Sequence, residues 1–333
     1  MQPWVEKYRP ARLDDVQAQQ ESVAALRSCL RAGSNMPHLL FFGPAGTGKT
    51  SSILALARDL FGPDFLKTRV KELNASDDRG IEVVRQKVKT FARGSVSSLT
   101  SRVQSDGRIY PLPAFKLIIL DEADALLPDA QAALRRMMED FSDVTRFCIL
   151  CNYVSRIIDP ISSRCAKFRF KPVDRECLAS RVGFIATQEG LTLSEEAING
   201  LSAASKGDLR TAITLLQTAV RAKGADLRGE TFVDLAGLVP TAVMQSLTEV
   251  LCRGHFSEIF PATKRVLAKG YSALQVVGQI RDYLVSPECA LPTLQRALLC
   301  TRVSLVEKRL LDRADEMLQL LDLTSAFALP ATI

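Results

Sequence analysis

The sequence predicts an α/β domain built around a phosphate-binding loop, its parallel sheet covered by helices on both faces, followed by two smaller all-helical domains. Three observations predict this order. Short β-rich runs alternate with helical patterns through the first half, as they do where helices connect parallel strands. The string Gly43-Pro44-Ala45-Gly46-Thr47-Gly48-Lys49-Thr50 matches G-x-x-x-x-G-K-[ST] and lies between a strand-like and a helix-like segment. After Lys171-Pro172 the strand signals fade and amphipathic helical patterns run to the end of the chain.

Taken in order, His38 to Phe42 reads as the first strand, running into the glycine-rich turn, and Ser51 to Arg58 as the helix behind it. Arg69 to Asn74 reads as a second strand and Phe115 to Leu120 as a third, with the near-continuous apolar run of a strand covered on both faces. Arg146 to Cys151 is a fourth and Lys167 to Phe170 a short fifth. Between Arg93 and Pro113 a stretch with Gly, Ser and Pro has no periodicity and reads as a mobile surface loop. Farther on, Ser194 caps one helix, Gly207-Asp208 opens another, and Gly224 and Gly229 mark a break. The boundaries expected are 1–171, 172–238 and 239–333. No internal repeat or low-complexity segment stands out.

Composition narrows the function classes. Hydrophobic residues make up 47% of the 333 and charged residues 24%, the balance of a globular protein. No segment has the ~18–20 apolar residues of a membrane span, and Met1 to Pro10 lacks the apolar core of a signal peptide. A charge of +6, from 43 basic and 37 acidic residues, permits a nucleic-acid partner without requiring one. Of eight cysteines only Cys148 and Cys151 are spaced like metal ligands, and they lie in an apolar run that reads as a buried strand. Two histidines, His38 and His255, leave little scope for histidine-based chemistry.

The chemistry concentrates around the glycine-rich loop. Its glycines let backbone N–H groups converge on phosphates, and the following helix adds its positive end. Lys49 is placed to reach the β- and γ-phosphates and the Thr50 hydroxyl to ligate magnesium. Leu117 to Leu120 is an apolar strand ending in Asp121-Glu122, so Asp121 is read as part of the magnesium shell and Glu122 as the residue that polarises the attacking water. Asp121-Glu122-Ala123-Asp124 also spells a helicase signature, but the second motor domain of such helicases is missing. Asn152 follows the next strand and suits a sensor of the γ-phosphate. Arg164, on a loop before the last strand, suits an arginine finger reaching a neighbouring subunit's nucleotide. Arg210 lies in the first turn of a helix, where a cation opposes the helix dipole unless an anion lies beside it; a nucleotide phosphate would supply one.

In this order the residues resemble the AAA+ ATPases. Trp4 to Pro10, Leu73 to Ile81, Phe147 to Ile158 and Ser163-Arg164-Cys165 are more specifically similar to the small subunits of replication factor C, from Trp4 to about Gln217 and more weakly beyond. Two positions depart from that pattern: Ala45 stands where proline is usual and Asp78 where glutamate is common. The resemblance implies ATP and magnesium as cofactors, held by Gly43 to Thr50 with Ser51 and, near adenine and ribose, by Tyr8, Arg9 and Pro10. It makes Asn152 and Arg210 the first and second sensors and lets Arg164 act in trans. It makes residues 172–238 a lid and 239–333 an oligomerisation collar. It further implies a nuclear hetero-pentamer with other subunits of its kind, opening a ring-shaped sliding clamp and closing it on primer–template DNA in replication and repair, with no membrane partner.

One segment fits the DNA. Arg79, Arg85, Lys87, Lys89 and Arg93 face a single acid, Glu82, and Arg85 and Lys89 share a helical face. Contacts of this kind bind phosphates without regard to sequence, as a loader acting on any primer needs; a solvated basic face is the alternative. Arg156 is a weaker candidate for the same duplex.

Overall fold

The computed structural model describes residues 2–32, 36–75, 81–93, 104–224, 227–287 and 289–328. By its internal contacts the chain divides into two compact units, Met1–Thr192 with Ser205–Thr214, and Leu193–Ala204 with Leu215–Ile333.

In the first unit five strands form one parallel sheet: β1 (His38–Phe42), β2 (Val70–Asn74), β3 (Lys116–Asp121), β4 (Thr145–Cys151) and β5 (Cys165–Arg169), in the order β2-β3-β4-β1-β5. The helices of its chain are α1 (Trp4–Lys7), α2 (Gln20–Ala32), α3 (Lys49–Arg69), α4 (Ile81–Arg93), α5 (Pro128–Asp140), α6 (Asp159–Ser162) and α7 (Arg175–Gln188). The three central strands β3, β4 and β1 are largely apolar because both faces are covered, whereas the edge strands β2 and β5 carry charged residues. Side chains alternate between faces: Leu39, Phe41, Leu117, Ile119, Cys148 and Leu150 join a core with α3, while Leu40, Ile118, Leu120, Phe147, Ile149 and Cys151 join another with α5. Cys148 and Cys151 are therefore buried thiols, as expected, and burial pushes Cys151 up to about 12.

Register delivers the chemistry to one edge. Phe42 pairs with Cys151, so Gly43 and Asn152 leave the sheet side by side, and Leu120 pairs with Ile149, which sets Asp121 one strand farther along that edge. Ligands of open parallel sheets bind at such carboxyl ends.

The described part of the segment read as a mobile surface loop, residues 104–113, forms no helix or strand and is exposed from Ser105 to Ile109, but it is tied to α3 at several points; residues 94–103 lie outside the described residues. α3 is broken at Gly62 (φ 66°, ψ 176°), ahead of Pro63. The buried Gln104 amide repairs the break: Nε2 donates to the Phe61 carbonyl at 2.7 Å, and Oε1 accepts from Asp64 N at 3.1 Å. Ser105 bonds Asp64, Leu112 N bonds the Leu60 carbonyl at 3.1 Å, and Tyr110 and Leu112 are buried. The loop is present as the lack of periodicity predicts, and its side-chain anchors are what that pattern does not show.

α8 (Glu195–Ser205) starts on the expected cap, Ala197 N bonding Ser194 Oγ at 3.1 Å. α9 (Leu209–Lys223) begins in the first unit, with Thr211 N bonding Asp208 Oδ1 at 3.0 Å, and ends before Gly224 (φ 69°). The remainder of the second unit is α10 (Gly229–Leu235), α11 (Thr241–Arg253), α12 (Phe256–Ala268), α13 (Ala273–Val285), α14 (Thr293–Leu311) and α15 (Glu316–Ser325). α11 to α15 enclose an apolar core that includes Leu247, Ile259, Val277, Ile280, Val303 and Leu323. Among the described residues no helix is long and apolar enough to cross a membrane.

Candidate nucleotide site

The loop from Gly43 to Gly48 joins β1 to α3, and its backbone is one that side chains would obstruct. Gly46 has φ 67°, and a Cβ there would lie 1.6 Å from Asp208 Oδ1; one on Gly43 would lie 2.0 Å from the Phe170 carbonyl oxygen. Gly48 leads into α3 with φ 95°, so the first N–H groups of the helix face the loop.

Lys49 is buried, and its ammonium donates to the Gly43 carbonyl at 2.7 Å, the Pro44 carbonyl at 2.8 Å and Asn152 Oδ1 at 2.9 Å. Burial lowers its pKa, while the Asp121 carboxylate opposes the shift. The Asn152 contact orients that amide: its oxygen meets the lysine, so its NH₂ points the other way as a donor. Thr50 Oγ1 donates to Asp121 Oδ2 at 2.9 Å, and Asp121 Oδ1 accepts from Glu122 N at 2.9 Å. Glu122 itself has φ 52° and ψ 38°, a left-handed conformation uncommon outside glycine, and its side chain is exposed beside this cluster.

Arg210 reaches the same cleft through a backbone tie. Leu209 N donates to the Gly46 carbonyl at 3.1 Å while Asp208 caps α9, which holds the helix start against the loop. Tyr8, Arg9 and Pro10 form the far wall of the cleft. Tyr8 is fixed there by its hydroxyl, which donates to Glu189 Oε1 at 2.5 Å, and by its ring, edge-on to Phe184 at 6.4 Å. Glu189 also takes Lys7 Nζ at 2.6 Å, and Arg9 pairs with Glu6 at 2.7 Å.

The cleft thus brings together Ala45 to Ser51, Asp121, Glu122, Asn152, Arg210 and the Tyr8–Pro10 segment, with Gly43 and Pro44 in the loop behind. Sequence reasoning missed Val16, Ala18, Cys177, Arg181 and Ile213, which line the same cleft. Arg181 is half-buried and its guanidinium donates to the Tyr8 carbonyl. The apolar members carried no signal, because a pocket-lining Val or Ile is indistinguishable from core in one sequence.

Arg164 does not line this cleft. It is exposed, with Nη1 donating to the Pro160 carbonyl at 2.6 Å and Nη2 to Glu139 Oε1 at 2.5 Å. Of the residues read as DNA contacts, Arg79 and the Arg85 side chain lie outside the described residues. Lys89 lines a small hollow with Asp129, Arg136 and Asp140 of α5, and Arg136 is a second cation that sequence reasoning passed over. Arg156 is exposed and lies over the Tyr153 ring at 5.1 Å.

The donor set fits magnesium and a polyphosphate. Thr50 and Asp121 offer hard oxygens, and magnesium is held by one or two such groups plus phosphates and water rather than by an all-protein cage. Among the described residues no group of three or more His, Cys, Asp or Glu could hold a metal by itself.

A phosphate loop, an acidic strand end and a polar strand end on one edge of a five-stranded parallel sheet define a P-loop ATPase of the AAA class, and the family model "ATPase family associated with various cellular activities (AAA)" matches residues 39–173. The RCF1/5-like AAA+ ATPase lid model matches residues 181–221 and the replication factor C C-terminal domain model residues 239–326. The chain belongs to the replication factor C small-subunit family. It is 48% identical to replication factor C subunit 4 of Arabidopsis thaliana, over 98% of this chain and 94% of that one, and 48% identical to the human subunit 4, over 96% and 86%. Replication factor C small subunit of the archaeon Aeropyrum pernix is 40% identical over 95% and 93%. A solved structure of Thermotoga maritima RuvB is similar in fold, with a TM-score of 0.52 at 17% identity over 73% of this chain and 79% of that one.

Proposed function

We propose that this chain is an ATPase subunit of a clamp loader, using ATP binding and hydrolysis to load a ring-shaped sliding clamp onto primed DNA in the nucleus. The observation that carries the reading is the set of contacts Lys49–Asn152 and Thr50–Asp121, with Glu122 intact beside them, in a chain of this family.

Each residue has a task in that reading. The loop from Gly43 to Gly48 and Lys49 bind the phosphates, Tyr8 to Pro10 the adenine and ribose, and Thr50 with Asp121 the magnesium. Held by Thr50 and Asp121, a magnesium ion would supply charge neutralisation to the phosphates during transfer. Glu122 orients the water and takes its proton. The Asn152 NH₂ and the Arg210 guanidinium report whether the γ-phosphate is present. Arg164 acts on the nucleotide of an adjacent subunit in a hetero-pentamer, so that nucleotide binding stabilises the interface and hydrolysis weakens it. Residues 1–171 form the nucleotide-binding domain, 172–238 the lid and 239–333 the collar, a division supported by the spans of the three matching family models. Arg79, Arg85, Lys89 and Arg156 face the DNA.

The test is steady-state hydrolysis by the assembly that contains this chain, alone, with primed DNA, and with primed DNA plus clamp, for wild type and Glu122→Gln. Stimulation by DNA and clamp that the substitution reduces supports the reading. Stimulation untouched by the substitution makes this chain an ATP-binding assembly subunit whose neighbours hydrolyse. No stimulation and no partners removes clamp loading.

A further inference from the structure

Arg164, read above as the arginine that serves a neighbouring subunit, is engaged within its own chain. Its Nη2 donates to Glu139 Oε1 at 2.5 Å and its Nη1 to the Pro160 carbonyl at 2.6 Å. Glu139 stands in the last turn of α5, and the same carboxylate oxygen accepts from Arg135 Nε at 3.1 Å, one helical turn earlier. One carboxylate therefore answers two guanidinium groups. They hold its pKa below the usual carboxylate range, the Arg135 hydrogen bond contributing most. The three side chains retain 38–43% of their surface in contact with solvent.

Such an arrangement is built for exchange. An exposed ion pair is weak because water screens both partners. A triphosphate's terminal group carries more negative charge and more acceptor oxygens than a carboxylate, and it takes a guanidinium through two parallel bonds. When Arg164 leaves, Glu139 keeps Arg135, so no carboxylate is stranded without a counter-charge. The contact with Pro160 is to a neutral carbonyl and offers no charge competition.

We infer that Glu139 is a positioning residue for the adjacent subunit's nucleotide site: it parks Arg164 against its own chain and competes for it with that nucleotide's terminal phosphate. The inference rests on the reading of Arg164 as an arginine acting in trans. Its consequence is a threshold. A triphosphate draws Arg164 away from Glu139, whereas a diphosphate lacks the group that competes.

The experiment uses the whole assembly, with glutamine replacing the hydrolytic glutamate in every subunit except the one whose site Arg164 faces, so that one site turns over. Four forms of this chain are compared: wild type, Glu139→Gln, Arg164→Ala and the double variant. Glu139→Gln is expected to lower the KM for ATP at the adjacent site by roughly threefold, the scale of one exposed ion pair, with kcat and ADP affinity little changed. The gain should shrink as salt is raised, since screening weakens the wild-type latch. In the Arg164→Ala background Glu139→Gln should have no effect on KM. A raised KM, or the same gain with and without Arg164, overturns the latch while leaving the trans arginine in place. If Arg164→Ala alone leaves adjacent hydrolysis unchanged, the trans reading itself fails and the latch with it. A purely structural role for Glu139 would shift the melting temperature without this dependence on Arg164.

Discussion

The Thr50 hydroxyl donates to Asp121 Oδ2 at 2.9 Å, joining the first turn of α3 to the carboxyl end of β3. The two residues are 71 apart in the chain, and β4 lies between β3 and β1, the strand that leads into α3, so the contact depends on the sheet order rather than on local sequence. It sets two hard oxygens of the kind magnesium takes beside each other, which would reduce the reorganisation that binding of such an ion requires.

Replacing Asp121 with Asn removes the charge and leaves one acceptor oxygen, for Thr50 or for Glu122 N but not both. Nucleotide binding should survive, held by the loop and Lys49. Turnover should fall by on the order of 100-fold, since several kcal/mol of metal-assisted charge stabilisation are at stake. The magnesium concentration for half-maximal activity should rise as well. Titration of hydrolysis with magnesium checks both; an unshifted midpoint would take Asp121 out of the metal shell.

Gly46→Ala should destabilise the first unit by about 1–3 kcal/mol, through a left-handed backbone that alanine resists and the approach of its methyl to the Asp208 carboxylate. It should also loosen the Leu209–Gly46 bond that carries Arg210 to the cleft, weakening nucleotide binding. Adding Asp208→Ala relieves the clash but not the backbone strain, so it should recover only part of the loss in thermal unfolding.

The buried site was legible where chemistry demands particular residue types. Gly43 to Thr50, Asp121 and Asn152 are recognisable because phosphate, magnesium and a strand end leave few alternatives, and the central strands β1, β3 and β4 are legible because both-sided burial makes each an apolar run, while the edge strands β2 and β5 keep charged residues. The backbone bond from Leu209 N to the Gly46 carbonyl, the repair of α3 by Gln104 and the pairing of Arg164 with Glu139 were not legible. Each joins residues at least 25 apart, through backbone groups that every residue carries or a polar side chain whose type has many other uses, so nothing in the local pattern marks it.

Gln104→Ala strands the Phe61 carbonyl and Asp64 N at the kink of α3, and should cost about 1–3 kcal/mol, the penalty for buried polar groups left without partners. Denaturant unfolding measures it. Gln104→Leu, similar in size but without donors, should be no better than alanine; if it restores stability, the amide contributes packing rather than hydrogen bonds.

His38 gives the fold a dependence on acidity. Burial, and to a lesser degree the Arg146 charge, lower its pKa from 6.5 to about 4, and its Nδ1 accepts from Phe147 N at 3.1 Å, which fits only the form with that nitrogen unprotonated. The unfolded chain therefore takes up the proton first. The contribution is fully present above pH 6.5 and is lost as pH falls towards 4. Because the residue is only partly buried, the loss should be roughly 1–2 kcal/mol rather than the full shift. Urea unfolding of wild type and His38→Gln at pH 7.5 and pH 5 checks this. The substitution should flatten the difference between the two, and an equal difference in both proteins would place the acid sensitivity elsewhere.

The hollow lined by Lys89 and Arg136 supplies the last expectation. Asp129 and Asp140 lie in the same hollow, so its net charge is balanced and two cations alone do not make a strong phosphate site. If each cation contacts one phosphate, charge reversal at both should lower the slope of log affinity against log salt by about 1.8, at roughly 0.9 per contact on duplex DNA, and should weaken binding alike on unrelated sequences. Neutralising Asp129 and Asp140 to Asn should do the opposite and tighten binding modestly, by removing like-charge repulsion towards the phosphates. Binding of primed DNA by the assembly at several salt concentrations separates the outcomes. A slope unmoved by Lys89→Glu with Arg136→Glu would assign the duplex to other residues, Arg156 first among them, since its guanidinium is exposed over Tyr153.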